Sequence, residues 1–140
     1  MSAVVDVART WIGTPWRLGA SVRGLGCDCV GFAAGVAREA GLLPPHHPLL
    51  QAALELRSVW PEAGLRERLD ATFPARAEPQ PGDLLLLRTD PRIEPWHLAV
   101  LAGPTIVHAR MDRGVVEDRW APPWIRRLAG AWDWSERGEP

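Results

Sequence analysis

The chain changes its period once, at Pro79-Gln80-Pro81-Gly82-Asp83, and this change limits its fold more than any other feature. Before it, apolar residues recur at helical spacing; after it, short apolar runs alternate with turn residues. Residues 3–12 set Val4, Ala8, Trp11 and Ile12 on one side of a helix that stops at Gly13-Thr14-Pro15. A loop with Gly19, Gly24 and Gly26 follows. Residues 29–40 are helical again, with Phe32, Ala33, Val36, Ala37 and Ala40 on one side. Gly31 and Gly35 leave that helix thin enough for a neighbour to come close, and Gly41 is its stop. The proline-rich stretch 42–48 is a connector, and helical patterns return at 49–57 and 62–72. Beyond Asp83, residues 84–88, 97–102, 105–109 and 115–119 read as strands, with a further one near 128–134. Helices first and strands after predict an α+β fold, with N-terminal helices packed on a C-terminal antiparallel sheet. Neither a repeat nor a long linker divides the chain, so residues 1–140 are expected to form a single domain.

Composition removes several classes of function. A chain of 140 residues buries a sizeable core without staples. A formal charge of −1 and a pI near 6.4 argue against a nucleic-acid or membrane-surface binder, although all 16 basic residues are Arg. The strongest apolar runs, 30–37 and 84–87, are far shorter than the ~20 residues that span a bilayer. No basic flank followed by a long apolar stretch opens the sequence, so no signal peptide is expected and synthesis is placed in the cytoplasm. Two Cys cannot make a disulfide framework. The pair Cys27-Asp28-Cys29 is therefore chemistry or coincidence.

Asp28 is a favoured N-cap type, which makes Cys29 the first residue of the second helix. The helix dipole and the unpaired N–H groups there favour negative charge, lowering the thiol pKa and offering an oxyanion site. The other reading is that both Cys are small buried hydrophobes. Cys27 lies before the cap and reads as structural. Two of the four His fall in strand-like runs. A hairpin of 96–101 with 104–109, turning between Ala102 and Gly103, sets His97 directly opposite His108 with Cβ atoms about 4.5–5.5 Å apart. A slip of one residue would send them to opposite faces. Nucleophile, base and orienting group form the Cys-His triad arrangement, while His46 and His47 belong to the connector. Four zinc ligands from Cys27, Cys29, His97 and His108 are the rival arrangement. The one-residue Cys spacing is shorter than the two to four of structural zinc motifs, and neither metal nor cofactor is expected.

The motifs Trp11-Ile12-Gly13-Thr14-Pro15-Trp16, Gly26-Cys27-Asp28-Cys29-Val30-Gly31-Phe32, Pro81-Gly82-Asp83-Leu84-Leu85, His97-Leu98-Ala99-Val100 and Ile106-Val107-His108-Ala109 resemble the NlpC family of cell-wall cysteine peptidases. The Gly-Cys-Asp-Cys form and Trp124-Ile125-Arg126-Arg127 are similar to its phage-tail and gene-transfer-agent branch. The resemblance covers about residues 4–134. It implies a papain-like fold and hydrolysis of peptidoglycan stem peptides, often at the bond from D-glutamate to diaminopimelate. It maps Cys29 as nucleophile, His97 as base and then acid, and His108 as the group orienting His97. Trp16, Asp28 and Val30 take substrate-binding positions. Where the family usually has Tyr, Ser and Gly, this chain has Trp16, Val30 and Ala99. The implied partners are peptidoglycan peptides and the hub proteins of a phage-like tail, which would carry the chain to the cell wall. A structural tail subunit with a decayed site, and another thiol-based amidase or acyltransferase on the same fold, are the alternatives.

Overall fold

The structure is a computed structural model, and it describes residues 3–43 and 64–135. Helix α1 (Ala3–Thr10) is followed by a small hairpin of β1 (Ser21–Val22) and β2 (Gly26–Cys27), then α2 (Cys29–Glu39) and α3 (Leu65–Thr72). Strands β3 (Leu84–Leu87), β4 (His97–Leu101), β5 (Thr105–Arg110) and β6 (Gly114–Arg119) lead to the short α4 (Pro122–Ile125) and β7 (Leu128–Trp132). The five longer strands form one antiparallel sheet in the order β6-β5-β4-β3-β7. The α+β expectation holds, and the strand limits fall within one or two residues of the sequence reading. Short β1, β2 and α4 were not anticipated from the sequence, being too brief to carry a period. His46, His47 and the helical pattern at 49–57 lie outside the described residues.

The change of period has a structural cause. The Asp83 side chain accepts from the Gln80 N–H at 2.8 Å and pairs with Arg76 at 3.0 Å, closing a turn. Backbone bonds between Leu101 and both Gly82 and Asp83 then hold the start of β3 beside β4. One face of the sheet packs on α1 and α2 through Trp11, Phe32, Val36, Leu98, Val100 and Trp132. The other carries Leu85, Leu87, Ala99, Leu101 and Ile106 beneath Trp120, Trp124 and Leu128. Ile12, expected on the buried side of α1, is 44% exposed because the helix ends at Thr10, whereas Val4, Ala8 and Trp11 are buried.

The glycines of α2 do allow close approach. A Cβ on Gly35 would lie 2.2 Å from the Trp11 ring, and one on Gly31 would lie 2.0 Å from the Ala20 carbonyl oxygen. The Trp11 ring therefore sits tight on α2, and the loop before Cys29 is clamped to its first turn. Among the described residues no helix is long and apolar enough to cross a membrane.

Candidate active site

Asp28 caps α2 as expected. Its Oδ1 accepts from the Gly31 N–H at 2.7 Å and its Oδ2 from the Gly19 N–H at 2.8 Å. Both carboxylate oxygens are thus engaged in shaping the loop and the helix start. Cys29, the first residue of α2, is buried, and its Sγ lies 3.5 Å from the Trp96 carbonyl oxygen. Here the sequence expectation needs correction. Burial raises the thiol pKa above its ordinary value, and hydrogen bonds from the backbone of Leu98, Val30 and Cys29 offset this only in part. The N-terminal field of a helix is a fraction of a charge, whereas removing a thiolate from water in an apolar core costs more. Cys27 is buried in β2, donates its N–H to the Pro15 carbonyl at 3.0 Å, and has its thiol pushed up to about 12 by burial and then by Asp28.

The histidines come together by a different register from the expected one. The ladder pairs Ala99 with His108, Val100 with Val107 and Leu101 with Ile106, a shift of two residues. The turn is centred on Gly103-Pro104, with Gly103 at φ +122°, a backbone conformation that suits glycine at the first turn position. A two-residue shift keeps the face, so His97 and His108 are diagonal neighbours. His97 Nε2 lies 2.8 Å from His108 Nδ1, and His108 Nε2 lies 2.8 Å from Asp118 Oδ2. Asp118 also accepts from Arg110 Nη1 at 3.2 Å, and Arg110 pairs with Asp112 at 2.9 Å. The Trp124 ring stacks on His97 at 6.1 Å and meets His108 edge-on at 4.8 Å.

Burial, then His108, Arg110 and Arg127, bring the His97 pKa down to about 3. Burial also lowers that of His108, against the opposing pull of Asp118. Both imidazoles are therefore neutral at neutral pH, each with one N–H and one lone pair. Among the described residues His97 Nδ1 has no hydrogen-bond partner, and Cys29 makes no hydrogen bond to the His97 ring.

A cleft of about 330 Å³ opens over His97, lined by Trp16, Trp96, Arg110, Trp124 and Arg127 among others. A second of about 230 Å³ is lined by Trp16, Leu18, Asp28, Trp96 and Met111. Two of the three residues assigned to substrate, Trp16 and Asp28, thus border open space. Val30 does not: it is 1% exposed and faces an apolar cavity on the helix side with Ala33, Leu69 and Leu98. As the second residue of a core-packed helix, Val30 points inward. Asp118, Arg110 and Trp96 have no place in the site read from sequence, and Trp124 enters there only within a family motif. Asp118 shares the face of His108 one ladder step on, because β5–β6 pairs His108 with Val116 and Ile106 with Asp118. Among the described residues no three His, Cys, Asp or Glu side chains are gathered to hold a metal ion.

No protein-family model matches the chain, and no curated protein matches it significantly. Solved structures do match. An NlpC/P60 family protein from Bacillus cereus superposes with a TM-score of 0.66 at 21% identity, over 94% of this chain and 39% of that one. A Staphylococcus aureus protein described as similar to a lipoprotein of the NLP/P60 family gives 0.59 at 24% identity, over 93% and 39%. The NlpC/p60 domain of the peptidoglycan hydrolase SagA gives 0.58 at 21% identity, over 94% and 96%. The chain spans about two-fifths of the first two proteins and nearly all of the third. Its architecture, helices packed on an antiparallel sheet, is the papain-like fold that these NlpC/P60 structures share.

Proposed function

We propose that the chain is a metal-independent cysteine peptidase that hydrolyses peptide bonds in peptidoglycan stem peptides. The observation that carries this reading is the hydrogen bond from His97 to His108 beneath a cleft, with His97 Nδ1 unpartnered among the described residues and the helix-start Cys29 Sγ 3.5 Å from the carbonyl of the adjoining Trp96. The NlpC/P60 fold supports it, since one similar structure is named as a peptidoglycan hydrolase domain.

In this reading His97 Nδ1 takes the Cys29 thiol proton as Sγ attacks the scissile carbonyl. The Cys29 backbone N–H holds the oxyanion. His97 then gives that proton to the leaving amine, the C–N bond breaks, and a thioester remains. Water, deprotonated by His97, hydrolyses the thioester and restores the thiol. The resting thiol faces the Trp96 carbonyl, so Sγ and Nδ1 must close on each other when substrate fills the cleft, as catalytic hydrogen bonds often do. The bond from D-glutamate to diaminopimelate is the proposed target. Delivery by a phage-like or gene-transfer-agent tail is proposed from the Gly26-Cys27-Asp28-Cys29 form, with synthesis in the cytoplasm and action at the cell wall.

The test is digestion of purified peptidoglycan by the wild type, Cys29→Ala and His97→Ala, with released peptides identified by mass. Loss of release in both variants is expected, with a new diaminopimelate amine in the wild-type digest; unchanged release by both variants would overturn the reading. Mass-spectrometric detection of the chain in purified tail particles tests the delivery step.

A second reading, a structural tail subunit with a decayed site, is favoured by one observation. The Cys29 thiol is buried and bonded to a backbone carbonyl rather than to His97. A wild type that releases no peptide, yet is present in particles, would select it.

A further inference from the structure

We infer that Asp118 is a positioning residue of this site: its carboxylate selects the tautomer of His108 and, through it, leaves His97 Nδ1 unprotonated. The inference rests on the peptidase reading and adds a residue that the sequence resemblance did not supply.

Two distances fix where the protons lie. Asp118 Oδ2 is 2.8 Å from His108 Nε2, and an ionised carboxylate only accepts hydrogen bonds. His108 must therefore carry its proton on Nε2. A neutral His108 then presents a bare lone pair at Nδ1. That lone pair lies 2.8 Å from His97 Nε2, which must supply the shared proton. With Nε2 protonated, a neutral His97 keeps its free lone pair on Nδ1, the atom with no protein partner among the described residues. The reverse arrangement would set the His108 Nε2 lone pair against carboxylate oxygen at 2.8 Å. Without the carboxylate both arrangements of the His97–His108 bond are open, and in one of them Nδ1 holds a proton and accepts none.

The surroundings keep Asp118 in the required state. Arg110 Nη1 reaches the same Oδ2 at 3.2 Å, and Asp112 anchors the far side of Arg110 at 2.9 Å. Burial opposes ionisation, but His108 and Arg110 outweigh it and hold the Asp118 carboxyl below the usual range. Trp124 covers the His97 and His108 rings, which limits the water that could replace a misplaced donor. Asp118 does not itself line the cleft, so it acts through the two side chains it holds, His108 and the cleft-lining Arg110.

Ring-¹⁵N NMR of the full chain tests the inference directly, using wild type, Asp118→Asn and Asp118→Glu. The asparagine keeps the shape but offers a donor as well as an acceptor. The wild type is expected to show His108 and His97 both protonated on Nε2. Asp118→Asn is expected to show a tautomer mixture, with kcat on a soluble stem peptide lowered about 100-fold and KM within about twofold. Asp118→Glu is expected to recover the wild-type nitrogen pattern and part of kcat. Unchanged nitrogen shifts in Asp118→Asn, or a protonated His97 Nδ1 in the wild type, would overturn the inference. A wild type inert on peptidoglycan, with the nitrogen pattern as expected, would instead overturn the peptidase reading.

Discussion

Cys29 and His97 reach the site by routes of very different range. Cys29 is placed within a dozen residues of chain. The cap bonds of Asp28 to Gly19 and Gly31, and the close fit of Gly31 under Ala20, hold the helix start. His97 depends on contacts spread across the sheet: a turn at Gly103, a diagonal neighbour on β5 and a carboxylate on β6. The helix side sets position through packing, and the strand side sets proton location through hydrogen bonds. Damage to the first should therefore show mainly as lost stability, and damage to the second mainly as lost turnover.

The largest stability effect is expected on the helix side. In Gly31→Ala the new Cβ would meet the Ala20 carbonyl oxygen at 2.0 Å, so backbone must move. A cost of about 3 kcal/mol is expected in urea unfolding. A loss under about 1 kcal/mol would mean that the loop before Cys29 yields freely.

The next effect belongs to the strand side and appears as pH dependence. The folded value of His97, about 3, lies below its ordinary 6.5 because burial excludes the charged form. The unfolded chain therefore binds a proton that the folded chain refuses, and stability falls as pH drops from about 6.5 towards 3. At pH 5 His97 alone accounts for about 2 kcal/mol, and His108 shifts in the same direction. Urea unfolding at pH 7.5 and pH 5 measures this, and a His97→Ala chain should lose less between the two. Equal wild-type stability at both pH values would show that the rings are better hydrated than their burial implies. Smaller still is Asp28→Ala, expected to cost about 1–2 kcal/mol through the lost cap. Asp28→Asn, which still accepts from the Gly31 N–H, should cost less than half of that.

The same contrast of range explains what the sequence made legible. The strands from Leu84 onward were readable because alternation and turn residues are local signals. The cap at Asp28 and the thin face of α2 were readable for the same reason. The hairpin register was two residues off because the turn is fixed by which residue takes a positive φ, and Gly103 does so rather than its neighbour. The shared face of His97 and His108 survived only because the error was even. Asp118 stayed hidden because its relation to His108 requires the β5–β6 register as well. Trp124 is legible only as part of a family motif; its place against the histidines is not, because it stands on a helix of four residues. The raised thiol pKa was unreadable for another reason: burial of Cys29 depends on packing from several elements, and a helix start read in isolation reports only the dipole.

Whether the two halves form one hydrolytic centre is tested most directly by a double-mutant cycle between Cys29 and His97. The measurement is kcat/KM on a soluble stem peptide for Cys29→Ala, His97→Ala and the combined variant. If the thiol acts only through His97, each single change should cost at least about a thousandfold. The combined variant should then fall no further than the singles. A His97→Ala chain that keeps a tenth or more of wild-type activity, or a combined loss that multiplies the two single losses, would contradict a shared centre.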